Sequence, residues 1–190
     1  LAREAFSAGE VANLLAAAEF ILHEHLLRNP ESGLPGEVNG RVMRHLNRPE
    51  YTHDAQDAFV AIMEAVAKPQ VLAIGEAILG EPLLFRCTSL WYQPQTVSTD
   101  GNWHRDSQFG AKSEDDERQR LQTMKTGVQM QLALVPTEDN EYVPRSHLRW
   151  DTPEEYQIRL ADGQKNATSN GMPGAIRLTQ QPGDVLAFNP

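Results

Sequence analysis

The segment VQMQLAL, residues 128 to 134, alternates apolar and polar side chains. Successive side chains of a β-strand point to opposite faces of a sheet, so a period of two indicates a strand with one face buried. The sequence therefore predicts a half-buried strand whose apolar face carries Val128, Met130, Leu132 and Leu134 and whose polar face carries Gln129 and Gln131.

Helical signals dominate the first third of the chain. Ser7 and Glu10 have the spacing of a capping box, in which each side chain satisfies an amide of the first helical turn. A second helix is predicted to begin near Thr52 or Asp54. Pro69 and Gly80 are predicted to open and to end a third helix. Residues 29 to 51 are rich in Gly, Pro and Asn and are predicted to be irregular.

The character of the chain changes after Pro82. Short β-favouring segments, separated by prolines and turns, predict strands in LLFRCTSLWYQ, AIRLT and DVLAF, and WHRDSQF is interpreted as the end of a further strand. The charge run KSEDDERQR is typical of a solvated loop or helix face. Thr152 and Glu155 form a second capping box, whose helix is predicted to end at Gly163. We predict a single domain of mainly β (α+β) class, helical over residues 1–81 and strand-rich over 82–190.

The composition narrows the classes of function. The net charge of −9 argues against a general nucleic-acid binder, which needs a basic face to neutralise phosphates. Cys87 is the only cysteine, which rules out an internal disulfide. No run approaches the roughly 18 apolar residues that a membrane span requires. We therefore predict a cytoplasmic protein that binds neither nucleic acid nor a membrane.

The triplet His104-Arg105-Asp106 is the strongest chemical signal. In an extended segment, residues i and i+2 project to the same side, so the His104 imidazole and the Asp106 carboxylate can meet one ion. Two histidines and one carboxylate on one face of an octahedron suit Fe(II). A kinase catalytic loop is excluded, because residue 111, where it needs asparagine, is alanine. Taken alone, the triplet favours an exposed turn that carries an arginine–aspartate pair, because so short a motif arises by chance in many proteins.

The order of four short motifs resembles the phytanoyl-CoA dioxygenase family. The resemblance covers roughly residues 82 to 190, and Arg145 departs from it at a position where the family usually has glycine. The matching residues are Trp103, His104 and Asp106; Ala133 and Leu134; Val143, Pro144, Ser146 and His147; and Gly183 and Asp184.

This resemblance implies a double-stranded β-helix (jelly-roll) core with flanking N-terminal helices. It also implies an Fe(II)- and 2-oxoglutarate-dependent dioxygenase that uses dioxygen to hydroxylate a small organic substrate, releasing succinate and CO2. His104 and Asp106 would be metal ligands. The third ligand and the arginine that binds 2-oxoglutarate are expected beyond Pro190. Halogenating relatives carry a small residue in place of the carboxylate, so Asp106 indicates hydroxylation.

Other residues are assigned by their position relative to the motifs. Gln131 and Thr88 are candidates for binding 2-oxoglutarate, although a polar strand edge would explain Gln131 equally well. Arg105 and Gln108 flank the metal pair and are candidates for substrate contact. His147 is an alternative metal ligand, but the resemblance favours a structural turn there. The substrate and the oligomeric state are not readable from the sequence.

Two other functions remain open. One is a non-catalytic jelly-roll binding module. The other is a cupin-type metalloenzyme that does not use 2-oxoglutarate, although such sites usually draw on a denser cluster of histidines than this chain offers.

Overall fold

The computed structural model describes residues 1–28, 42–44, 46, 51, 53–91, 103–123, 127–138, 140–164 and 171–189. Most of the segment predicted to be irregular, residues 29 to 51, lies outside the described residues. The short segment Val42–Arg44 within it forms a strand.

Three helices occupy the N-terminal part, as predicted, and span Ala8–Arg28, Gln56–Val66 and Pro69–Leu79. The capping box at the first is formed: the Ser7 main-chain amide donates to Glu10 Oε2 over 2.8 Å, and the Glu10 amide donates to Ser7 Oγ over 3.4 Å. The third helix has Pro69 in its first turn. It ends at Gly80, whose φ of 75° is a left-handed conformation that glycine adopts without steric cost.

Two further helices, Glu114–Thr123 and Pro153–Gln164, interrupt the strand-rich part. The charge run KSEDDERQR forms the first of them, helped by pairs one turn apart such as Arg118 Nη2 to Glu114 Oε1 at 2.5 Å. Glu117 on this helix is buried, which the prediction of a solvated face did not include. The second capping box is formed, with the Thr152 amide donating to Glu155 Oε2 over 2.7 Å.

The described residues form three two-stranded antiparallel sheets. Strand β1 (Val42–Arg44) pairs with β2 (Ser89–Trp91), β3 (Gln129–Leu132) with β6 (Val185–Phe188), and β4 (Glu141–Tyr142) with β5 (Ile176–Arg177). The segments AIRLT and DVLAF, which flank one proline-glycine turn, therefore belong to different sheets.

The prediction of a mainly β (α+β) chain is confirmed only in part, because the described residues are mixed α/β with short strands. The strands are two to four residues long, and the charged segment KSEDDERQR, for which a solvated loop was the alternative, contributes to a helix. The WHRDSQF segment forms no strand: residues 103 to 105 carry no regular structure and Asp106–Gln108 is a single 3-10 turn. The described residues do not close a sheet into a jelly roll.

The β3–β6 pair has two different faces, as the alternation predicted. Val185 belongs to a buried cluster with Phe6, Val11 and Leu14 of the N-terminal segment, against which Met130 and Leu132 pack. Directly opposed residues of an antiparallel pair share a face, so Gln129 and Gln131 lie with Phe188 and Leu186 on the other side. The helices therefore cover one face of this pair, and the polar face is left for the candidate site.

No single described helix combines the length and the apolar composition needed to cross a membrane. The helices Gln56–Val66 and Pro69–Leu79, which meet at a 44° bend, reach that length and composition only as a pair.

Candidate metal centre

His104 and Asp106 lie side by side. The Nε2 atom of His104 is 3.6 Å from Oδ1 of Asp106. Arg105 between them is extended, with φ −116° and ψ 140°, so its side chain leaves the chain on the side opposite to theirs. Extended backbone at this residue is what brings the imidazole and the carboxylate together, although the segment is not paired in a sheet.

Both candidate ligands have neighbours that restrict their orientation. The His104 ring lies 5.4 Å from the Phe109 ring, centroid to centroid. Asp106 accepts a hydrogen bond at Oδ2 from the side-chain amide of Gln129 on β3. The two carboxylate oxygens of Asp106 thus have different surroundings, with Oδ2 bonded to Gln129 and Oδ1 nearer His104.

The donor set fits part of an iron site. An imidazole nitrogen and a carboxylate oxygen are two of the three ligands of the facial arrangement that non-haem Fe(II) favours. Their side chains are 36% and 30% exposed, so both are accessible from solvent. Among the described residues, no group of three His, Cys, Asp or Glu side chains is placed to hold a metal ion. The pair therefore offers two of the three donors of such an arrangement.

Gln131 lies on the same face of β3 as Gln129 and belongs to a polar cluster. Its Oε1 accepts hydrogen bonds from Asn140 Nδ2 over 2.9 Å and from the Tyr142 hydroxyl over 3.4 Å. The Tyr142 ring packs 4.9 Å from that of Phe188. Burial raises the pKa of Tyr142 to about 12, so its phenol is protonated at neutral pH and acts as a hydrogen-bond donor.

Thr88 lies at the start of the β1–β2 pair. Its main-chain oxygen accepts a hydrogen bond from the Leu46 amide over 2.9 Å, and its side chain is half-buried. Within the described ranges, no hydrogen bond joins Thr88 to His104, Asp106 or Gln131.

Arg105 and Gln108 are engaged within the protein. Arg105 Nε donates to Asp151 Oδ1 over 2.7 Å, and Nη1 donates to the Ser146 main-chain oxygen over 3.0 Å. Gln108 Oε1 accepts from the Arg105 amide over 3.1 Å and from Arg159 Nη1 over 2.8 Å. The structure thus places both residues in a network on the side of the triplet that faces away from the candidate metal ligands.

His147 lies in a separate 3-10 turn, Ser146–Leu148, and is half-buried. It does not join His104 and Asp106 in any three-ligand group of the described residues.

A comparison with protein families decides the family. The phytanoyl-CoA dioxygenase model matches residues 1–190, the whole of this sequence. The chain belongs to the phytanoyl-CoA dioxygenase family. Members of this family are generally Fe(II)/2-oxoglutarate oxygenases. No curated protein and no solved structure matches the chain.

The departure from the family pattern at Arg145 has a structural consequence. Arg145 has φ 62°, in the left-handed region, at the turn where the Ser146 amide donates to the Val143 oxygen. Glycine adopts this conformation freely, whereas a residue with a Cβ atom is strained by about 1–2 kcal/mol. The turn at Arg145 therefore has a conformation that glycine, the residue expected here from the family resemblance, would adopt without strain.

Asp184 of the glycine-aspartate motif has a structural position. It is 1% exposed and accepts hydrogen bonds from the main-chain amides of Gln181 and Glu4 and from Arg3 Nη1, over 2.8, 3.0 and 2.5 Å. Burial raises the pKa of Asp184, but these hydrogen bonds outweigh that effect and hold the pKa below its ordinary value. Asp184 thus ties the N-terminal segment to the turn before β6.

Several site residues were not found from the sequence: Asn140, Tyr142, Asp151 and Arg159. The alternation in VQMQLAL did indicate that Gln129 and Gln131 share a face, but not that Gln129 reaches Asp106. Asp151 and Arg159 lie 46 and 51 residues from their partners Arg105 and Gln108, and no local pattern marks such contacts.

Proposed function

We propose that this chain is an Fe(II)- and 2-oxoglutarate-dependent dioxygenase that hydroxylates a small organic substrate and releases succinate and CO2. The observation that carries the proposal is the juxtaposition of His104 Nε2 and Asp106 Oδ1 at 3.6 Å, in a chain whose family generally performs this chemistry. We also propose that the complete core is a jelly roll, on the strength of family membership.

His104 and Asp106 would hold the iron. When bound, Fe(II) supplies the activation of dioxygen, coupled to decarboxylation of 2-oxoglutarate. The protein fixes the ligand geometry: Gln129 holds one carboxylate oxygen of Asp106, and the other lies nearer His104. Hydrogen bonding of this kind around a ligand restricts its rotation and tunes its basicity.

We propose Gln131 as a contact for 2-oxoglutarate. Its Oε1 atom already accepts two hydrogen bonds, from Asn140 and Tyr142, which orient the amide. Among the described residues, the amide nitrogen of Gln131 has no hydrogen-bond acceptor, so two N–H donors remain for a carboxylate. A buried carboxylate needs such donors, because an unpaired charge away from water is costly. Thr88 remains a second proposed contact, supported only by the family resemblance.

The roles proposed for Arg105 and Gln108 follow from their contacts. Both were candidates for substrate binding. Their polar atoms are bonded to Asp151, Ser146 and Arg159, which supports a role inside the protein instead.

The test is turnover of 2-oxoglutarate by the full-length protein. With Fe(II), ascorbate and oxygen, we expect slow succinate release without added substrate, and loss of that release in His104→Ala and in Asp106→Asn. His53→Ala is the matched control, because the His53 side chain is 78% exposed and its salt-bridge partner among the described residues is Asp54. Succinate release that is equal in the parent and in His104→Ala would contradict the assignment.

A further inference from the structure

Four buried side chains of alternating charge contact one another on the Arg105 side of the His104-Arg105-Asp106 triplet. Arg105, Asp151, Arg159 and Glu117 have side chains that are 9%, 4%, 2% and 6% exposed. Arg105 Nη2 lies 2.6 Å from Asp151 Oδ1, Arg159 Nη2 lies 2.7 Å from Asp151 Oδ2, and Arg159 Nη1 lies 2.7 Å from Glu117 Oε1. Two positive and two negative groups balance, which is the condition under which buried charges are tolerated.

The contacts within this network are of two kinds. Arg159 Nε donates a hydrogen bond to Asp151 Oδ2 over 2.8 Å. The approaches of Arg159 Nη2 to Asp151 and of Glu117 Oε1 to Arg159 are as short but lack hydrogen-bond alignment, so they are electrostatic contacts. Asp151 is therefore the centre of the network, bonded to both arginines.

The network fixes both the side chain and the main chain of Arg105. Asp151 and the Ser146 oxygen bind its guanidinium, while Gln108 Oε1 accepts from its amide and is itself bound by Arg159. Because Arg105 is extended, a rotation of its main chain would turn His104 and Asp106 away from each other. The buried contacts of Arg105 therefore determine how His104 and Asp106 are placed relative to each other.

We propose that Asp151 and Arg159 are positioning residues, which set the affinity of His104 and Asp106 for Fe(II) without touching the metal. They also couple these two ligands to the helix Pro153–Gln164, since Asp151 leads into this helix and Arg159 lies on it. The inference rests on the proposed function, because it requires that His104 and Asp106 bind Fe(II). Coupling between two sites is reciprocal, so metal binding should in turn stabilise the docking of this helix.

The first test measures Fe(II) affinity by anaerobic competition with a chelator, in the full-length protein. Asp151→Asn keeps the shape of the side chain and removes its charge. Arg105→Lys keeps the charge but loses the fork that binds Asp151 and Ser146. We expect each variant to bind Fe(II) about 10- to 100-fold more weakly, the range found when partners of metal ligands are changed.

Glu154→Gln is the matched control. It removes a carboxylate charge from the same helix, but Glu154 is exposed and lies outside the network, so the docking of the helix should keep its parental stability. We expect its Fe(II) affinity to equal that of the parent. Folded Asp151→Asn and Arg105→Lys variants with parental affinity would overturn the inference, even if the parent binds iron. A parent that binds no Fe(II) would overturn the proposed function as well.

The second test does not depend on how well the variants fold. Hydrogen–deuterium exchange is followed in the parent, with and without Fe(II), under anaerobic conditions. We expect Fe(II) to slow exchange of the helix Pro153–Gln164 and to leave the helix Gln56–Val66, which has no residue in the network, unchanged. If Fe(II) binds but exchange in Pro153–Gln164 stays the same, the coupling is refuted.

Discussion

The side-chain amide of Gln129 donates a hydrogen bond to Oδ2 of Asp106, while Oδ1 of the same carboxylate lies 3.6 Å from His104 Nε2. A strand residue thereby orients a carboxylate that belongs to a turn 23 residues earlier. Oδ2 of Asp106 is thus hydrogen-bonded within the protein, while Oδ1 lies beside the His104 imidazole.

Gln129→Leu should weaken Fe(II) binding by about 10- to 100-fold, because Asp106 then loses the partner that fixes its rotation. The measurement is the dissociation constant for Fe(II) under anaerobic conditions. A dissociation constant equal to that of the parent would show that Gln129 does not orient the ligand.

Gln131→Leu should act differently, although it stands two residues away on the same strand face. Removing a donor to a charged carboxylate costs about 1.5–3 kcal/mol, so the KM for 2-oxoglutarate should rise by about tenfold or more. The Fe(II) dissociation constant should not change. Equal effects of Gln129→Leu and Gln131→Leu on both constants would contradict the separate roles of the two residues.

Glu155→Gln should destabilise the fold in a pH-dependent way. The hydrogen bonds from Arg149, and then those from Thr152, lower the pKa of Glu155 to about 2. A lowered folded-state pKa gives stability that is present above the unfolded-state value and is lost as pH falls through the folded-state value. We therefore expect a loss of about 2 kcal/mol at pH 7 that disappears as the pH approaches about 2.

Urea denaturation of parent and variant across this pH range measures the difference. Glu154→Gln is the control, because Glu154 is an exposed neighbour in the same first turn and should leave the free energy of unfolding nearly unchanged. A deficit of Glu155→Gln that is the same at pH 7 and near pH 2 would show that the charge of Glu155 is not its source.

Gly183→Ala should be far more damaging than Gly174→Ala. Both glycines have positive φ, 95° and 71°, so both substitutions strain the backbone. A Cβ atom at residue 183 would also collide with the Phe6 main-chain oxygen, whereas one at residue 174 meets nothing within 4 Å. We expect a loss of at least about 2 kcal/mol for Gly183→Ala and about 1 kcal/mol for Gly174→Ala in thermal or urea unfolding.

Tyr142 should limit stability at high pH. Its pKa is raised by burial to about 12, so the folded state favours the protonated phenol. Stability from this effect is present below the ordinary tyrosine pKa of about 10 and is lost as pH rises towards 12. Tyr142→Phe should therefore lose less stability than the parent between those values. Parallel losses in the two proteins would contradict burial of the phenol.

The features that depend on residues close together in the sequence were predictable: two helix caps, the faces of one strand and the placement of His104 beside Asp106. Ser7 with Glu10 and Thr152 with Glu155 cap helices because each pair is three residues apart, within reach of one helical turn. The faces of β3 followed from a period of two, and the pairing of His104 with Asp106 followed from extended backbone at Arg105.

Long-range contacts were not predictable in this way. The partner of β3 is β6, more than 50 residues later, and register depends on packing against Phe6 and Val11 rather than on the strand itself. Glu117 is buried because Arg159 lies opposite, on a different helix, so its place in a charge run gave the wrong environment. The described residues are also mixed α/β rather than mainly β, because their strands are only two to four residues long and the helices Glu114–Thr123 and Pro153–Gln164 lie between them.

The most direct measurement is an anaerobic titration of the full-length protein with Fe(II) and then 2-oxoglutarate, monitored by visible absorption. We expect a weak metal-to-ligand charge-transfer band that saturates with one equivalent of iron and is absent from His104→Ala and Asp106→Asn. A band of equal strength in either variant, or no band in a parent that is folded and carries a complete set of ligands, would contradict this expectation.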